Sequence, residues 1–158
     1  MKTRIPVGWW SARWALVGVM GILGLSVAQA ADYGRYETLE AIHCVENPFN
    51  TTRPGRFGEL GAYQFREATW RMHSREPFVR ALERPVSDQV AVRHYEWLCR
   101  ELRRHGLPVT TYNIAVAWNA GVTALINGRA PRRAHDYARR VTNLAQDFSA
   151  AKLAARAP

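Results

Sequence analysis

The chain has 158 residues, with 22 Lys and Arg against 13 Asp and Glu, five His and two Cys. That length holds one compact domain with a single core and leaves no room for a second large one. The excess positive charge suits a polyanion: a cell-wall polymer with its peptide carboxylates, an anionic membrane surface, or nucleic acid.

Residues 1–30 have the pattern of a cleaved secretory signal. Lys2, Arg4 and Arg13 precede an apolar run from Trp14 to Val27, and Ala28-Gln29-Ala30 supplies the small-residue cleavage site. The run is shorter than the ~20 residues that span a bilayer. No cysteine stands at the cleavage site to carry a lipid, so no stable membrane anchor is expected after cleavage. The protein is therefore expected to be periplasmic or secreted, which argues against nucleic acid as partner. The mature part keeps 19 of the bases and all 13 acids, a formal charge of +6 carried almost wholly by arginine.

From Ala31 onward the expected fold class is all-α: short helices punctuated by Gly and Pro, without strand alternation or internal repeats. A first helix is predicted over Arg35–Glu46, with Leu39, Ile42, His43 and Glu46 on one stripe and Pro48 as its stop. A glycine-bearing loop, Asn47–Gly61, leads to a short helix over Phe65–His73. A longer helix is expected to start at Ser87 as N-cap, bury Ala91, Tyr95, Leu98 and Leu102, and close before Gly106. Thr110 or Thr111 caps a helix through Trp118 that Gly121 interrupts. A brief helix to Asn127 follows, and the last begins after Pro131, with Tyr137, Val141, Leu144 and Phe148 on one face. The domain is expected over 31–150, and 151–158 as a basic, Ala-rich tail that frays.

Glu46 is the most informative position. It stands seven residues after Leu39 and four after Ile42, so a carboxyl group extends an apolar stripe. Desolvation there favours the protonated acid, the form that glycosidic cleavage requires near neutral pH. Taken alone, the position fits better a helix-terminal Glu turned into solvent, the commoner fate of glutamates. Cys44 and Cys99 fall on different predicted helices and are candidates for a disulfide in an oxidising compartment. The histidines lack any H-E-x-x-H or zinc-finger spacing, so no metal is expected. No phosphate-loop pattern occurs and no cofactor is implied.

Three further segments bear on Glu46. After Glu46-Asn47 itself come Gly61-Ala62-Tyr63-Gln64, Trp118-Asn119-Ala120-Gly121 and the late Tyr137. In this order they resemble the soluble lytic transglycosylases, which share the goose-type lysozyme fold. That family pairs Glu-Ser with Gly-Leu-Met-Gln, Ala-Tyr-Asn-Ala-Gly and a late Tyr. The resemblance covers roughly Tyr36 to Leu144 and departs at Asn47 for Ser, Tyr63 for Met and Trp118 for Tyr. It implies a lysozyme-like bundle around a cleft, peptidoglycan glycan strands as substrate, and Glu46 as the single catalytic acid. Gln64, Tyr63, Trp118, Asn119 and Tyr137 would then line the cleft. Trp118 fits a sugar platform and a core residue equally well, and Tyr137 fits both an orienting hydroxyl and core packing. A lysozyme-type hydrolase would want a second carboxylate, for which Glu59 is the nearby candidate. A non-catalytic wall-binding module is the other alternative.

Overall fold

In the computed structural model, which describes residues 33–156, helix α1 spans Arg35–Glu46, the bounds its pattern predicts. Gly34, at φ 85°, turns the chain into it, and Asn47 ends it with an amide that donates to the His43 carbonyl. The expected signal over 1–30 lies outside the described residues. Helix α2 spans Glu67–His73, a 3₁₀ turn spans Phe78–Leu82, and α3 spans Arg84–Arg104. Then come α4, Thr111–Ala120, α5, Val122–Ile126, and α6, Arg132–Ala154. Among the described residues the architecture is all-α, apart from one isolated antiparallel bridge between Leu60 and Phe65.

The core sits where α1 and α4 pack on α6, the most extensive helix contacts, with α3 closing the other side. Ile42 of α1, Leu98 and Leu102 of α3, Ile114 and Val116 of α4, and Val141 of α6 are completely buried. Each such side chain contributes roughly 1.5–3 kcal/mol of burial. Trp70 joins them from α2 and donates its indole N–H to the Glu76 carbonyl at 2.9 Å. Thr38 and Thr111 share a buried hydroxyl contact of 2.9 Å that pins α1 to the start of α4.

Three boundaries differ from expectation for local reasons. Phe65 does not open α2; its backbone pairs in both directions with Leu60 at 3.0 Å across the tight turn 61–64. Helix α3 starts at Arg84 rather than after Ser87, because Pro85 falls in its first turn, where a fixed φ and missing N–H cost nothing. Ser87 is not a cap but a buried residue inside the helix, its hydroxyl without a hydrogen-bond partner. Finally, α6 continues to Ala154 instead of fraying at 151. Its Lys152 ammonium lies 2.5 Å from the buried Glu37 carboxylate of α1. Thr110 is the N-cap of α4, its hydroxyl accepting from the Asn113 amide at 3.1 Å, as predicted.

Candidate active site

Helix α1 delivers Glu46 at its last position, and Asn47 fixes the loop beyond it. The Asn47 side chain is buried; its amide donates to the carbonyls of Thr51 (3.0 Å) and Gly61 (3.1 Å). Its carbonyl accepts from the amide (2.9 Å) and hydroxyl (3.1 Å) of Thr51. One side chain thus holds both ends of the loop between α1 and the turn at Gly61. Gly61 itself cannot be replaced freely: it has φ 77°, and a Cβ there would lie 1.8 Å from the Ala81 carbonyl oxygen.

The Glu46 carboxyl is partly buried. That burial is the main cause lifting its pKa from 4.5 to about 7. The negative charge of Glu59 raises it further, while the Tyr137 hydroxyl and the Arg140 charge oppose the rise. Tyr137, from α6, is 4% exposed. Its hydroxyl lies beside Glu46 and interacts with it, yet the contact falls short of full hydrogen-bond geometry and leaves that hydroxyl without another partner. Burial first, and then the Glu46 charge, keep this phenol firmly protonated.

Glu59 has the opposite character. Burial would raise its pKa, but the Phe57 amide, its own amide and the Arg66 guanidinium outweigh that and hold it below the usual carboxylate range. Phe57 N–H donates to one oxygen at 2.8 Å and Arg66 Nε to the other at 3.2 Å. The carboxylate rests over the bare Cα of Gly55: a Cβ there would meet Glu59 Oε2 at 2.6 Å and Gln64 Oε1 at 2.8 Å. Gln64 takes the left-handed region, φ 45°, and returns its amide to the Gly61 carbonyl at 3.0 Å. Glu59 and Gln64 therefore meet at Gly55 in the loop that Asn47 ties, and Glu46 lies beside Tyr137.

The other expected contacts divide. Tyr63 is 3% exposed, its hydroxyl donating to Asp88 at 2.7 Å and the Arg84 guanidinium lying over its ring. It is wall rather than open surface, which corrects its expected place among substrate contacts. Trp118 is half-buried in an aromatic cluster, edge-on to His94 at 4.7 Å and tilted on Phe65 and Tyr63. Burial and then the neighbouring His73 push the His94 pKa down to about 3, so this cluster stays neutral. Asn119 is exposed on the last turn of α4. Phe65 and Trp70 are core, as expected.

Cys44 and Cys99 are not joined in a disulfide, so the candidate pairing is not formed. The helices run so as to separate them. Cys99 lines a surface hollow with Arg35 and Tyr36, at the start of α1. Cys44, nine residues after Arg35, neighbours Glu40 and His43 beside Arg84, and Arg84 stands fifteen residues before Cys99, about 22 Å along a helix axis. Glu40, His43 and Cys44 bring ligand atoms within 4.8 Å of one another. The Arg84 guanidinium already contacts His43 at 3.0 Å and Glu40 at 2.9 Å, a fixed positive charge where a cation would sit. Burial also raises the Cys44 thiol pKa, with Glu40 adding to it, so the sulfur stays protonated.

Sequence reasoning underrated Glu59 and missed Gly55; the signal for both was the Pro-Gly-x-x-Gly-Glu run inside a loop. Phe57, 68% exposed between the Arg56 and Arg66 guanidiniums, was missed as well. Two surface hollows, about 480 Å³ beside Arg71, Arg75 and Arg93 and about 560 Å³ between Arg35 and Arg103, do not include Glu46. Volume alone therefore does not mark the acid. Among the described residues no helix is long and apolar enough to cross a membrane. No family model, curated protein or solved structure matches the chain.

Proposed function

We propose that the chain is an exported lytic transglycosylase of lysozyme-like fold that cuts peptidoglycan glycan strands, with Glu46 as acid and base. The observation that carries this reading is Glu46 itself: a carboxyl group at a helix end, desolvated, with a pKa of about 7, beside a buried tyrosine hydroxyl that has no other partner. A carboxylic acid poised near neutral pH can both give and take a proton at comparable cost, which a two-step acid–base reaction needs. The +6 formal charge of the mature part suits an acidic wall polymer.

In the first step Glu46 gives its proton to the oxygen joining C1 of muramic acid to the 4-position of the next sugar. The C1–O bond breaks, the next sugar leaves with a free hydroxyl, and C1 becomes cationic. The Tyr137 hydroxyl favours the Glu46 carboxylate that results. In the second step that carboxylate takes the proton of the muramic 6-hydroxyl as its oxygen bonds to C1, giving a 1,6-anhydro end. No water is consumed, because the nucleophile belongs to the same sugar.

A second reading is hydrolysis on the same site, and Glu59 near Glu46 favours it, since a second carboxylate can position water. Both Glu59 oxygens already accept hydrogen bonds, from Phe57 and Arg66, and its pKa is low. Those features weaken it as a base. Digesting purified murein with the mature chain and weighing the products tests all readings. Anhydro ends are expected, and Glu46→Gln should abolish them while leaving the fold intact. Reducing ends would replace the transglycosylase by the hydrolase, and intact strands with tight binding would leave only a wall-binding module.

A further inference from the structure

We propose that the exposed face of α3 from Gln89 to Arg103, with the two hollows beside it, is a docking surface for the oxyanion groups of an acidic wall polymer. The inference rests on the wall-polymer part of the proposed function and not on the cutting step. It assigns the holding of the strand to residues other than Glu46.

The register of α3 makes the surface. Gln89, Arg93, Glu96, Arg100 and Arg103 follow one another at spacings of four, three, four and three, which keeps them on one stripe of the helix. All five are exposed. From Arg93 to Arg103 the stripe rises about 15 Å, and it joins two hollows. One, about 480 Å³, is lined by Arg71 and Arg75 together with Gln89 and Arg93. The other, about 560 Å³, is lined by Arg35 together with Glu96, Arg100 and Arg103.

An exposed charged helix face is ordinarily laced by acids three or four residues from its bases. Here the acids are engaged elsewhere. Glu96 stands four residues before Arg100, the favourable order for an ion pair, but its carboxylate bonds to Arg35 of α1 at 2.7 Å. In the first hollow Glu76 bonds to Arg80 at 2.7 Å, and Arg71 to Glu67 at 3.2 Å. Arg75, Arg93, Arg100 and Arg103 are left without a carboxylate partner among the described residues. Arg93 is nonetheless held in place: its Nη1 donates to the His73 carbonyl at 3.0 Å, a bond that leaves the charge unmatched. Ser74, buried in the same hollow, accepts from the Glu76 amide at 3.1 Å and gives its own proton to no acceptor among the described residues.

A guanidinium takes a carboxylate or a phosphate through two parallel N–H···O bonds. Four of them, spread over two linked hollows, select a ligand that repeats its charge. The stripe carries no apolar side chain to enter a bilayer, and hollows receive groups that project from a chain. A wall polymer therefore fits this face better than a flat layer of anionic lipid.

The test reads binding without digestion, by sedimenting the mature Glu46→Gln chain with intact murein sacculi. Adding Arg93→Gln, Arg100→Gln and Arg103→Gln together should weaken binding about tenfold, as the loss of three exposed ion pairs would, and should flatten its dependence on salt. The same charge change made on other elements, Arg53→Gln with Arg129→Gln and Arg133→Gln, should leave binding near its starting value. Equal losses from the two triple variants overturn the surface in favour of net charge alone, and unchanged binding by the α3 variant overturns it outright. Sacculi with amidated carboxyls and sacculi stripped of phosphate-bearing polymers identify which oxyanion is held. Full binding to both overturns the assigned chemistry, as does tighter binding of the same arginines to vesicles of anionic lipid. Strands left uncut by the native chain, with binding still lost in the α3 variant, would overturn the cutting reading while the docking surface stands.

Discussion

Replacing Glu46 by Gln should make the protein more stable, and increasingly so as pH rises. The folded-state pKa is raised, from 4.5 to about 7, so the folded chain holds the Glu46 proton more tightly than the unfolded chain. The stability linked to that proton is fully present below pH 4.5, declines between 4.5 and 7, and is gone above 7. A separation of this size corresponds to roughly 3 kcal/mol, and solvent reaching the partly exposed carboxyl trims it to about 2 kcal/mol. Glutamine carries no such penalty. Urea denaturation of both proteins at pH 4, 5.5, 7 and 8.5 isolates the effect, because titrating groups that do not interact with Glu46 cancel in the difference. The advantage of the variant should grow by about 2 kcal/mol from the lowest to the highest pH. A difference that stays flat, or that shrinks with rising pH, would refute the claim that Glu46 is a desolvated acid.

Other outcomes rest on the same geometry. Tyr137→Phe removes a group that favours the Glu46 carboxylate, so the alkaline limb of the pH–rate profile should move upward; a downward move contradicts the assigned contact. Because the hydroxyl lacks a fully formed bond, this variant should lose less than about 1 kcal/mol of stability in denaturation. Asn47→Ala discards four hydrogen bonds and should cost about 2–4 kcal/mol, with cleavage impaired even where the chain remains folded. Gly61→Ala meets backbone at 1.8 Å and should cost more than about 3 kcal/mol, visible as loss of a cooperative thermal transition. Denatured, unreduced protein should titrate two thiols, and a non-reducing mass should show no disulfide.

Much of the fold was legible because local signals agreed with packing. The Leu39–Ile42–Glu46 spacing and Pro48 set α1, and Thr110 and Gly121 bracketed α4 through its cap and its positive φ. Where local signals competed, the sequence misled. Ser87 looked like a cap, but Pro85, well suited to a first turn, lets the helix start earlier and leaves the hydroxyl buried. The two cysteines looked paired by compartment, yet pairing depends on where along α1 and α3 they fall. Glu46 was legible because it interrupts an apolar stripe. Tyr137 was legible only as one of two roles. Glu59 was legible as a second acid near Glu46 but its environment was not, since that is made by Gly55, Gln64 and Arg66, contacts across a loop for which no periodicity exists.

The Asn47 clamp has a consequence for how the loop beyond α1 can vary. Because a single amide grips the carbonyls of both Thr51 and Gly61, the chain between them is a bight closed at its neck. Lengthening such a bight adds little entropy cost and leaves the neck in register. Its tip, with exposed Phe57 and Arg56, can thus change in length and side chains while Glu46 at the end of α1 keeps its seat.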